Sequence, residues 1–188
     1  MNRREAISRV ALILGGTVIG AEMFLEGCKP GGKKVADLFD QDNIAFLDEV
    51  AETILPETST PGAKAAKVGQ FMSVMVRDCY SPEDQQVFLK GIQKIDDEAD
   101  KEYNKPFMKL DAHAKTALLT KLDIEQRKYN ENKKEDEPNH YFRMMKELTL
   151  LGFFSSEVGA TKALRYVPVP GRYEGCIPYK KGDRAWAT

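Results

Sequence analysis

Three thiols and two imidazoles are the side chains of this sequence best suited to chemistry: Cys28, Cys79 and Cys176, with His113 and His140. Clustered, such groups hold zinc, haem or iron–sulfur centres, but these five are scattered and match none of the ligand spacings those centres need. His113 sits between two alanines at a predicted helix start, where a solvated or capping imidazole is a simpler reading than a general base without a partner. His140, beside a polar run, reads the same way. The acidic runs Asp96-Asp97-Glu98, Asp100-Lys101-Glu102 and Glu135-Asp136-Glu137 lack the glycine and ligand positions of a calcium loop and read as solvated faces. There is no phosphate-cradling glycine loop, dinucleotide fingerprint or nucleophile elbow, and Gly15-Gly16 falls in an apolar leader. The sequence thus predicts no catalytic, cofactor-binding or metal-binding residue in this chain.

The first thirty residues read as an address. Asn2-Arg3-Arg4 and Arg9 precede the apolar run Val10 to Ala21, which is too short to cross a bilayer as a helix and suits a signal-peptide core. The pair Arg3-Arg4 resembles a twin-arginine signal, which exports chains already folded; general secretion is the alternative. Leu25-Glu26-Gly27-Cys28 resembles a lipobox, in which cleavage before the cysteine leaves Cys28 as the first residue with diacylglycerol on its sulfur. Glu26 departs from the small neutral residue usual there, and the competing reading is an unmodified Cys28. The expected layout is a signal peptide over 1–27, a lipid-anchored tether over 28–39 and one domain over 40–188. A lipidated Cys28 places that domain on the periplasmic side of the cell envelope.

The elements that must carry any site are helical. The 188 residues suffice for one core, apolar positions recur at helical spacing, and no stretch alternates long enough to suggest a sheet. The predicted class is all-α, a single bundle of five or six helices followed by an irregular Pro/Gly-rich tail. A first helix from about Asp42 places Ile44, Phe46, Leu47, Val50 and Ile54 on one apolar face and stops before Pro56. A second carries Phe71, Val74 and Met75 on its apolar face, with Cys79 a further candidate for it. A third opens at Ser81-Pro82 with acids in its first turn and buries Val87, Phe88, Ile92 and Ile95. A fourth starts at Asp111 behind Leu110 and buries Leu118, Leu119 and Leu122. The run from Arg127 to Pro138 has almost no apolar side chain and is expected to be an exposed loop. A fifth helix from Asn139 uses Tyr141, Phe142, Met145, Leu148 and Leu151, and a sixth runs from Ser155 or Ser156 to about Tyr166. A formal charge of -1 gives no global pull toward nucleic acid.

With Cys28 assigned to lipid, Cys79 and Cys176 would share an oxidising compartment. They can form a disulfide tying the tail to the second helix, or Cys79 can be a small core residue and Cys176 free; sequence does not fix the Cα separation a bond requires.

The stretch Leu148 to Gly159, containing Gly152-Phe153-Phe154-Ser155-Ser156-Glu157-Val158-Gly159, is followed by Leu164-Arg165-Tyr166 and by Pro168-Val169-Pro170-Gly171-Arg172-Tyr173-Glu174-Gly175-Cys176. It resembles the gluconate 2-dehydrogenase subunit 3 family, whose members carry a Gly-aromatic-aromatic-Ser/Thr-Ser-Glu-x-Gly element and a later Pro-Gly-x-Tyr ending. The helix running into Pro56 and the Thr60-Pro61-Gly62-Ala63 segment match that family's opening elements, so the resemblance spans roughly residues 40 to 177. It implies a small non-catalytic subunit beside a large flavoprotein of the glucose-methanol-choline type that oxidises sugars or sugar acids. FAD then belongs to the partner, a cytochrome c subunit can complete the complex, and the small subunit aids folding or export. The alternative is a stand-alone envelope lipoprotein with a ligand-binding or enzymatic role.

Two readings compete for the aromatic end. Phe153 fits a core position, whereas Phe154 and the tail residues Pro170, Arg172, Tyr173 and Tyr179 offer the rigid aromatic and guanidinium contacts found in interface anchors. Ser155-Ser156-Glu157 is read as a helix cap and not as a nucleophile with its acid.

Overall fold

A computed structural model describes residues 34–169, 171–172 and 175–187. Arg3, Arg4 and Cys28, with the predicted leader and the first half of the tether, lie outside the described residues, as do Pro170 and Tyr173.

Five long helices follow in order: α1 Gln41–Ile54, α2 Val68–Cys79, α3 Pro82–Tyr103, α4 Ala112–Asn132 and α5 Tyr141–Ser155. A short 3-10 turn at Val35–Phe39 precedes α1, others at Ala63–Ala66 and Phe107–Lys109 link α1 to α2 and α3 to α4, and a π-turn at Gly159–Ala163 follows α5. No strand forms among the described residues; a single bridge joins Arg165 to Trp186. The all-α prediction holds. Helix α5 is the hub, packing against α1, α2, α3 and α4. It carries Phe142, Met145, Leu148 and Phe153 into a core shared with Leu47, Val50, Phe88, Ile95, Leu118 and Leu122. None of the described helices is long and apolar enough to cross a membrane.

Local chemistry explains where several helices begin. Ser81 accepts the Asp84 N–H at 3.2 Å ahead of Pro82, and Asp111 accepts the Ala114 N–H at 2.8 Å, each cap contributing about 1 kcal/mol. Helix α1 stops before Pro56, where a single carboxylate shapes the turn that follows. Glu52 accepts the N–H groups of Glu57 and Lys64 at 2.8 Å each, and a Cβ on Gly62 would overlap that carboxylate. The Thr60-Pro61-Gly62-Ala63 segment is therefore a turn wrapped on Glu52, with Ala63 fully buried.

Five expectations are corrected. Helix α2 turns Val68, Met72 and Val76 inward, leaving Phe71 and Met75 half-buried and Val74 exposed. The helix offers two apolar stripes, and the one containing Gly69 and Ser73 wins because it lets backbones approach. Gly69 N–H donates to Asp48 at 2.7 Å and the Ser73 hydroxyl donates to the Leu38 carbonyl at 2.8 Å. Leu38, placed by sequence in the tether, is consequently core. The run from Arg127, expected as loop, continues α4 to Asn132, because helix-favouring side chains form their own supports. Arg127 pairs with Asp123 four residues back at 2.7 Å, and Asn130 donates to the Gln126 carbonyl at 2.7 Å. Leu151, expected inside, is 51% exposed on α5. The sixth helix shrinks to the π-turn, and Leu164 N–H closes it on the Gly159 carbonyl at 2.9 Å.

Candidate partner interface

The end of α5 is built by its glycines. An added Cβ at Gly152 would lie 2.6 Å from the Phe71 ring, so the absent side chain is what lets α2 seat there. Phe153 then points inward at 4% exposure, while Phe154 stands 40% exposed and meets it edge-on, ring centres 5.1 Å apart. Two residues on, the Ser156 hydroxyl donates to the Phe153 carbonyl at 2.6 Å and accepts the Gly159 N–H at 3.0 Å. Ser156 is thus a cap, as its position suggested, and Gly159 lies so close to the Phe153 carbonyl that any Cβ would collide with it. The Gly-Phe-Phe-Ser-Ser-Glu-Val-Gly element is a hinge that stops α5 and redirects the chain outward.

What leaves the hinge is a strap. The Arg165 N–H donates to the Ala185 carbonyl at 2.8 Å and the Ala187 N–H to the Arg165 carbonyl at 3.0 Å. Between them the chain bulges into solvent, with Val169 81%, Tyr179 77%, Tyr166 50% and Ile177 43% exposed. Arg172 is exposed as well. Gly171 and Gly182 adopt positive φ of 72° and 98°, which supports tight reversals within the strap. The second is closed by Asp183, whose carboxylate accepts the Lys180 N–H at 2.9 Å. Cys79 and Cys176 are both exposed, free thiols. Trp186, whose ring lies under the Arg165 guanidinium at 4.7 Å, was not singled out from sequence. A lone tryptophan close to an otherwise polar end was the available signal.

Beyond this end, polar groups are engaged in holding helices together. Lys115, nearly buried, donates to Glu49 at 2.7 Å, and Lys64 contacts the other oxygen at 2.5 Å. The Lys115 hydrogen bond, with that of Lys64, holds the Glu49 carboxyl below its usual range. Asp96 accepts the Phe107 N–H at 2.8 Å, so one residue of the predicted solvated acidic run is structural. His140 is buried and caps α5 through Phe142. His113 lies exposed on α4. Among the described residues no three acidic, imidazole or thiol groups converge to hold a metal ion. A shallow cleft of about 390 Å³ between α4 and α5 is lined by Arg127, Arg143 and Lys146 with Glu131 and Glu147. Its cations already carry partners, Asp123 for Arg127 and Lys146, and Glu147 for Arg143.

A family model described as gluconate 2-dehydrogenase subunit 3 matches residues 41–171. That span takes in all five helices, the hinge and the first part of the strap. No curated protein and no solved structure matches the chain.

Proposed function

The chain belongs to the gluconate 2-dehydrogenase subunit 3 family, and from that premise we propose that it is the non-catalytic small subunit and export escort of a periplasmic dehydrogenase. Its partner is a FAD-dependent large subunit of the glucose-methanol-choline type acting on a sugar or sugar acid, with a cytochrome c subunit passing electrons onward. The flavin belongs to that partner. Cys28 anchors the small subunit to the membrane by lipid, and Arg3-Arg4 sends the folded pair out on one twin-arginine signal.

The observation carrying this reading is the contrast at the end of α5. Phe153 closes the core while Phe154 and Leu151, at 40% and 51% exposure, face solvent at the end of the same helix. An exposed aromatic ring with an aliphatic neighbour on a fixed helix end is well suited to anchoring a second protein, since little side-chain entropy remains to be lost. The bridging of Glu49 and the capping by His140 further support a scaffold in which polar groups hold helices instead of meeting a substrate.

The test is an affinity pull-down of membrane-extracted protein, with mass spectrometry of its partners and of the mature N-terminus. A stoichiometric flavoprotein and an acylated Cys28 are expected, and deleting this chain should remove the partner's periplasmic activity. A chain recovered alone and unmodified, with partner export unchanged in the deletion strain, would overturn the proposal.

A further inference from the structure

The strap is closed at its base and differs in charge from the body that bears it. Besides the backbone bridge and the Arg165–Trp186 stack, Arg184 donates to the Lys162 carbonyl at 2.7 Å, so the returning end is pinned to the π-turn. A loop with fixed ends has already lost much of the chain entropy that binding would otherwise remove. Residues 34–163 carry 18 basic and 24 acidic side chains, a net of −6, whereas residues 164–188 carry five and two, a net of +3. The chain total of -1 conceals this separation.

Resting on the accessory-subunit reading above, we propose that the strap is the docking element for an acidic face of another subunit of the dehydrogenase complex. Tyr179, the most exposed aromatic ring described at 77%, fills an apolar pocket there, and Lys180 and Lys181 meet carboxylates at its rim. The net-negative body is repelled by that face while the strap is drawn to it, so the charge separation orients the encounter. A protein face suits the strap better than a bilayer. Most of its backbone is irregular, and such N–H and C=O groups find partners on a protein surface but none among acyl chains.

The experiment measures binding of the full processed subunit to the purified remainder of the complex at about 50 mM and about 300 mM salt, where the Debye length shortens from about 14 to about 6 Å. Three variants are compared: Lys180→Glu with Lys181→Glu, Tyr179→Ala, and a body control, Lys128→Glu with Lys134→Glu. Trp186 emission from the isolated subunit, which has no other tryptophan, verifies that each variant keeps its strap latched. The charge-reversed strap should bind about tenfold more weakly at low salt with a flattened salt response, and Tyr179→Ala should dissociate about tenfold faster. At about 300 mM salt, where charges of the body are screened from the contact, the control should stay within about twofold. A complex whose affinity ignores salt and both strap variants would overturn the docking assignment and leave the accessory reading standing. No complex with the unaltered subunit would overturn both. Unchanged subunit affinity together with loss of binding to vesicles of anionic phospholipid in the Lys180→Glu, Lys181→Glu chain would overturn it in favour of a membrane contact.

Discussion

His140 Nδ1 accepts the backbone N–H of Phe142 at 3.2 Å, so the imidazole that opens α5 must leave that nitrogen unprotonated. The ring is buried, packed 4.2 Å from Tyr141 and 5.5 Å from Tyr129 between centroids. Its Nε2 lies 3.7 Å from the Glu125 carboxylate, and Lys94 lies over the neighbouring Tyr141 ring. Burial lowers the His140 pKa below 6.5, Glu125 opposes that shift and Lys94 adds to it.

A histidine whose folded pKa lies below its unfolded value binds fewer protons folded than unfolded. Its contribution to stability is complete above about 6.5 and is lost as pH falls through the folded pKa. Urea midpoints at pH 8 and pH 5.5 should therefore differ more for the wild type than for His140→Asn, which keeps a cap acceptor and cannot charge. His140→Ala should lose about 1 kcal/mol at pH 8 through the missing cap. An equal pH response in wild type and His140→Asn would refute the assignment.

Glu52 supplies a second check, because its two oxygens each take one N–H of the turn after α1. Glu52→Gln presents one acceptor oxygen and turns an NH₂ group toward the other donor. The loss should be about 1–2 kcal/mol, seen as a lower thermal midpoint and faster proteolysis between residues 56 and 64.

Features legible in the sequence were those set within a few residues. Ser81 and Asp111 cap their helices through backbone groups three residues on, and Pro56 stops α1. Features that depended on the rest of the chain were not. The inward face of α2 was decided by how closely Gly69 approaches α1, which no periodicity encodes. The helicity of residues 127–132 rests on side-chain pairs one turn apart, Arg127 with Asp123 and Asn130 with Gln126, and on Tyr129 packing against His140, none of which an apolar periodicity encodes. At the candidate interface, Phe154, Arg172 and Tyr179 are exposed, and exposure alone does not make them contacts. The latch between Arg165 and Trp186 escaped notice because it joins positions far apart in sequence.

Lys115 and Glu49 tie α4 to α1 with little solvent to screen them, at 10% and 21% side-chain exposure. Lys115→Met should lose about 2 kcal/mol, since Glu49 keeps only its contact to Lys64. Adding Glu49→Gln should recover part of that loss, because the remaining group no longer carries a charge. Denaturant unfolding of the two single variants and the double variant measures the coupling, and strict additivity would mean that the pair contributes nothing of its own.

Gly159 connects the fold to the proposed docking element. Its Cα faces the Phe153 carbonyl at a distance that excludes any Cβ, and its own carbonyl accepts Leu164 N–H at the end of the π-turn. The carbonyl belongs to backbone already fixed by α5 and capped by Ser156, so it cannot retreat as a side chain would. Gly159→Ala must instead move the chain after Ser156, which carries Lys162 away from Arg184 and Arg165 away from Trp186. The core contributed by α5 up to Phe153 should persist, leaving far-UV helicity near the wild-type level and lowering stability by about 1–3 kcal/mol. The local signature is in Trp186, whose emission and quenching by acrylamide should change because its ring loses the Arg165 guanidinium stacked at 4.7 Å. Affinity for the partner subunit should fall together with the latch. If Gly159→Ala alters Trp186 and leaves partner binding intact, the hinge positions the strap but the strap's closed form is not what the partner recognises.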